Sequence, residues 1–83
     1  MDAAARAAEA AATASRPIAR VQGRVLFVLA SGERLTALQI GNRAHVTDAR
    51  GHIKALRDKG ITILDAWIKS VEWGTRCKVY YMP

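Results

Sequence analysis

The sequence predicts an α+β fold of three helices followed by a two-stranded β-hairpin, and three observations carry that expectation. Apolar residues recur at helical spacing over residues 18–31 and again over residues 46–60. Between them, Thr36-Ala37-Leu38-Gln39 has the form of a capping box and opens a short helix. From residue 61 onward the pattern changes to alternation and reads as strand, turn, strand.

In the first of these helices, residues 18–31, Val21, Val25, Val28 and Leu29 share one face, and Gly32 stands where a left-handed cap is expected. Arg20 and Arg24 lie off that stripe and read as solvated surface. The second helix starts at Thr36, with Leu35 set to lie against Ile40, and Gly41-Asn42 predicts a stop after about two turns. Residues 43–46 then make a turn. Thr47 is the expected N-cap of the third helix, with Asp48 near its positive end. Val46, Ala49, Ile53, Leu56 and Gly60 form its apolar side, and Arg50, Lys54 and Arg57 run along one edge.

A two-residue turn at Trp73-Gly74 would set Val71 opposite Arg76, Lys69 opposite Lys78 and Trp67 opposite Tyr80. The other face, with Leu64, Ala66, Ile68, Cys77, Val79 and Tyr81, then suits a core. Lys69 facing Lys78 is unfavourable in isolation, and an anion lying over the pair would relieve it.

The chain has 83 residues, which is room for one small domain. Residues 1–17 differ from the rest: nine are Ala, and Asp2, Glu9, Arg6 and Arg16 cancel in charge. They favour helix by propensity but offer little to dock, so they read as a frayed tail preceding a domain over residues 18–83. The whole net charge of +6 falls on that domain, where eleven Lys/Arg face five Asp/Glu. Such an excess favours an anionic partner, namely DNA, RNA or an acidic protein. A well-solvated basic surface is the plainer explanation of the same charge.

Several classes fall away. Cys77 is the single cysteine, so neither a disulfide framework nor a Cys-based metal cage is available, and a small core hydrophobe is its expected role. No secretory or membrane-spanning segment is recognisable, which points to the cytoplasm. His45 and His52 stand seven apart, one in a turn and one on a helix, a poor arrangement for a shared metal. Asp48 and His52 are four apart, but no serine or cysteine nucleophile lies near them in sequence. There is no phosphate-binding glycine loop. An enzyme, a cofactor and a small-molecule substrate are therefore not expected.

The order of elements over residues 25–82 resembles the winged helix-turn-helix superfamily, in particular its small phage and prophage DNA-binding members. The pieces that carry the resemblance are LTALQ opening the second helix, DARGHIKALRDKGITI running from the third helix into the hairpin, and KVYYM ending it. A compact repressor-type motif with Gly41 in its turn would want apolar residues where Thr47 and Arg50 stand, so the turn here must be longer.

The resemblance implies a double-stranded DNA-binding protein of regulatory or accessory type, in transcription or in replication, excision or packaging. The third helix would enter the major groove and the hairpin would act as wing. Base-edge contact would come from Thr47, Arg50, Gly51 and Lys54, with Gly51 and Ala55 allowing close approach and Arg50 matched to a guanine edge. Arg57, Arg43 and His45 would meet phosphate. Lys69, Arg76 and Lys78 would be wing contacts, with Trp73 at the tip. Plainer roles stand beside these: Arg57 covering apolar surface with its stem, and Trp67 packing on Tyr80. One module makes few base contacts, so a homodimer or larger assembly is expected, seated on the first helix or the Ala-rich segment. The rival reading is a winged helix used for protein docking, since Asp48 and Asp58 would repel phosphate; RNA binding ranks below both. Charge layout separates them, because a DNA reader needs one basic surface linking helix and wing.

Overall fold

In a computed structural model that describes residues 2–69 and 74–83, four helices pack against a three-stranded antiparallel sheet. In chain order the elements are α1 (Ala3–Thr13), α2 (Arg20–Leu29), β1 (Leu35–Thr36), α3 (Ala37–Ala44), α4 (Ala49–Asp58), β2 (Leu64–Lys69) and β3 (Arg76–Tyr81). The α+β class is as expected, but there is one helix and one strand more than the sequence indicates. β3 is the central strand, with β1 and β2 on either side.

The extra helix lies in the segment read as a frayed tail. Asp2 caps α1 by accepting from the Ala4 amide at 3.1 Å. Ala7, Ala10, Ala11 and Ala14, at i, i+3, i+4 and i+7, lie against the core on one face. Beyond α1, the Ser15 amide donates to the Lys59 carbonyl at 2.7 Å, and the Lys59 ammonium donates to the Pro17 carbonyl at 2.8 Å. Small side chains let the α1 backbone approach closely, so dispersion and close packing supply what apolar bulk does not.

The core is built from Val25, Leu26 and Leu29 of α2, Ile40 and Ala44 of α3, and Ala49, Ile53 and Leu56 of α4. Leu35, Ile61, Ile63 and Tyr80 close it from the sheet side. Gly32, at φ 85°, turns the chain beyond α2.

At α3 the capping box forms as its sequence demands. The Gln39 amide donates to the Thr36 hydroxyl at 3.2 Å, and the Thr36 amide donates to the Gln39 side-chain oxygen at 2.9 Å. The helix does not stop at Gly41-Asn42. It continues to Ala44 and ends at His45, whose φ of 58° is left-handed. Arg24 is not merely solvated; its Nε donates to the Ala44 carbonyl at 3.0 Å and an Nη to that of His45 at 3.5 Å, satisfying helix-end acceptors.

The N-cap of α4 is Asp48, one residue after the expected Thr47. Its carboxylate accepts from the Gly51 amide at 3.1 Å. We expect Asp48→Ala to cost about 1 kcal/mol in urea-unfolding free energy and Asp48→Asn to cost little, since either Asp or Asn fills this role. Equal stability of all three proteins would show that the cap contributes nothing. At the other end, Gly60 (φ 92°) donates to the Arg57 carbonyl at 3.0 Å and Ile61 to that of Leu56 at 3.1 Å. This is the paired-bond glycine cap, with Ile61 and Leu56 both buried beside it.

In the hairpin, Lys69 pairs with Arg76, Trp67 with Lys78 and Asp65 with Tyr80. This register lies two residues from the expected one. The proposed Trp73-Gly74 turn and the Val71 pairing involve positions outside the described residues. Tyr80 sets the register from the other side, because it is paired with Leu35 of β1 and buried in the core. A two-residue slip keeps every side chain on its face, but the core face is the opposite of the expected one. Leu35, Ile63 and Tyr80 face the helices; Leu64, Ile68, Cys77 and Tyr81 share the outer side, where Leu64 and Ile68 are exposed. Val79, on that outer side, is buried in the central strand between Thr36 and Ala66.

Candidate nucleic-acid interface

The helix-facing side of the sheet runs past the core and becomes polar. Asp65, Trp67, Arg76 and Lys78 continue it beyond Ile63 and Tyr80. Across from them stand the first turns of α3 and α4. The space between is an open groove of about 510 Å³ whose walls include Leu38, Arg50, Trp67, Arg76, Lys78 and Tyr80. A neighbouring depression shares Leu38 and Arg50 with it and takes in Thr47 and Asp48. One surface therefore runs from the α4 N-terminus to the hairpin.

Trp67 lines this groove and stays 58 % exposed. The Arg76 guanidinium lies 5.3 Å from its ring centroid and the Lys78 ammonium 5.7 Å, within cation–π range. Lys78 is also 5.9 Å from the Tyr80 ring, and Arg57 approaches that ring at 5.7 Å. Asp65 is the acid within this cluster among the described residues. Its Oδ2 accepts from Arg57 at 3.0 Å and lies 3.8 Å from Lys78. Arg50 and Arg76 make no ion pair among the described residues and present their charge to solvent. Lys54, one turn beyond Arg50, is exposed as well.

The residues singled out from sequence divide into three sets. Arg50, Arg76 and Lys78 meet in the groove, Thr47 borders it, and Lys54 and Lys69 extend it along α4 and the hairpin. Arg43 and His45 do not join them, and Arg57 meets the cluster only through Asp65 and the Tyr80 ring. Arg43 pairs with Glu33 and lines a separate depression beside Phe27 and Arg20, while His45 ends α3 with its carbonyl held by Arg24. Arg57 donates through Nε and Nη2 to the Ile63 carbonyl at 2.9 and 2.7 Å, which fastens the end of α4 to the start of β2. Trp73 lies outside the described residues.

Gly51 has an internal reason to be small: a Cβ there would collide with the Asp48 carboxylate that caps the helix. Two residues of the groove escape a sequence reading. Trp67 lies opposite Lys78 and not Tyr80, so its ring is free to face the groove. Leu38, 73 % exposed, sits on the wall as an apolar patch, and the sole signal for it is its place outside the α3 core stripe.

Among the described residues no group of three or more His, Cys, Asp or Glu is placed to hold a metal ion, and no helix is long and apolar enough to cross a membrane. No protein-family model, curated protein or solved structure matches the chain.

Proposed function

We propose that this chain is a winged helix-turn-helix domain that binds double-stranded DNA. In this reading α3 and α4 form the helix-turn-helix, α4 enters the major groove, and the β2–β3 hairpin is the wing on the flanking backbone. The observation that carries it is the convergence of Arg50 from α4 with Arg76 and Lys78 from the hairpin on one groove. A backbone of phosphates needs cations from both elements on one continuous surface. Thr47, Arg50 and Lys54 serve base edges, and Arg50 has the planar fork that fits guanine O6 and N7. Trp67 offers a ring face to sugar. The protein then acts as a small regulatory or accessory factor of phage or bacterial type, in the cytoplasm.

A second reading, a protein-docking module, is favoured by Leu38, since an exposed apolar side chain beside Trp67 suits a partner protein better than phosphate. Fluorescence anisotropy with a mixed-sequence labelled duplex separates the two. With four phosphate contacts the slope of log K against log salt is about −3.6, so affinity should fall about 100-fold between roughly 50 and 200 mM salt. Absence of binding at low salt by the folded protein would reject the DNA reading. Arg50→Ala is expected to weaken binding and to flatten the preference at one base pair by about 1–3 kcal/mol. Uniform weakening across sequences would instead move Arg50 from base readout to phosphate.

A further inference from the structure

β2 is an edge strand with its outer rim unpaired among the described strands. Five of its six residues are exposed. Three of the five large hydrophobic side chains exposed among the described residues lie on it: Leu64, Trp67 and Ile68, at 40, 58 and 46 %. An edge of this kind is a template for another strand. The Ala-rich face of α1, one of the two seats expected for self-association, is already used against the chain's own core.

We propose that β2 pairs antiparallel with β2 of a second copy, about a two-fold axis at Trp67, to join two sheets into one. The strand's own sequence selects this register. A two-fold axis normal to the sheet keeps like faces together, which requires that paired residues be an even number of positions apart. Centred on Trp67, the pairing sets Asp65 opposite Lys69 twice, Ala66 opposite Ile68 twice, and Trp67 opposite its copy. Shifting the centre by one residue to Ala66 sets Asp65 against Trp67; shifting it to Ile68 sets Lys69 against Trp67. Only the Trp67-centred register pairs opposite charges. Both ion contacts of Asp65 among the described residues go to Oδ2, leaving Oδ1 to accept from Lys69 of the second copy. On the outer side, Ile68 and Leu64 of each copy extend one apolar surface. The inference does not rest on DNA binding. It assigns Lys69 to the dimer and removes it from the list of wing contacts.

Sedimentation equilibrium of the full chain across the micromolar range tests the proposal, with three variants. Lys69→Glu places like charges opposite each other at two symmetric points and should weaken the dimer about tenfold. Asp65→Lys should do the same. Mixed in equal amounts, these two variants should recover a dimer, because the hybrid restores an opposite-charge pair at both points. Asp65→Lys also breaks the contact to Arg57, so a cross-link provides a route that does not depend on it. In a Cys77→Ser background, Trp67→Cys should form an intermolecular disulfide under mild oxidation, since directly opposed strand residues lie within disulfide range. Lys54→Cys in the same background should not. A monomer throughout the concentration range overturns the proposal and leaves the edge bare or for another protein's strand. A dimer that resists Lys69→Glu, or in which Trp67→Cys fails to cross-link, also overturns it.

Discussion

Reversing two charges, Arg50→Glu together with Arg76→Glu, is expected to weaken duplex binding about 100-fold or more at low salt while leaving the fold intact. Each residue is exposed and makes no ion pair among the described residues, so no internal contact of that kind is lost. The two stand on different elements, α4 and β3, and meet at one groove. If DNA lies there, each reversal removes an attraction and adds a repulsion. A loss of roughly 1.4 kcal/mol per residue corresponds to that factor. The salt slope should become shallower by about one, for the removal of Arg76 from phosphate contact. Far-ultraviolet circular dichroism and the unfolding midpoint should match those of the unaltered protein. Retained affinity and an unchanged slope would place the DNA elsewhere and remove the main support for α4 and the hairpin acting together.

Gly41→Val should be the most damaging single change to stability outside the large core side chains, at about 3 kcal/mol. In Tm this is roughly 12–24 °C for a domain of this size. The Gly41 carbonyl accepts from the Val46 amide at 2.9 Å, and the Val46 carbonyl returns against the helix. A Cβ at Gly41 would lie 2.8 Å from that oxygen, which belongs to the backbone and has no rotamer in which to escape. The α3–α4 turn must therefore move, and α4 with it. Gly41→Ala meets the same oxygen but gains up to about 1 kcal/mol of helix propensity, so a net cost near 1 kcal/mol is expected. Thermal unfolding decides the matter. An Ala variant more stable than the parent would mean that the turn yields freely.

Gly41 also shows where a local reading of the chain reaches its end. Beside Asn42, a glycine in a short helix looks like a stop, and nothing nearby in sequence reveals that a carbonyl five residues later crowds its Cβ position. The same holds for Arg24 and Arg57. Both lie off the apolar stripes of their helices, as solvated cations do, yet their guanidiniums are bound to carbonyls at Ala44, His45 and Ile63. Arg57, on the basic edge, holds the Ile63 carbonyl and the Asp65 carboxylate as well. Trp67 illustrates the converse. Its groove position depends on a strand register that the hairpin's own residues leave open.

Features that rest on contacts within one or two turns were readable from residue identity. The Thr36–Gln39 box and the buried stripe Ala49, Ile53 and Leu56 are of this kind, because hydrogen-bond partners and helical neighbours are three or four positions apart. The basic excess and the order of helices before hairpin follow from sequence in the same way. Tertiary structure alone decided the docking of α1, the face of the sheet that enters the core, and the company Arg50 keeps. Each depends on partners far apart in the chain: Ala7 and its neighbours on the core, Leu35 paired with Tyr80, Arg50 beside Arg76 and Lys78. Burial of Tyr80 outweighs the outer face's claim to the core because β1, a strand too short to announce itself, pairs with it there.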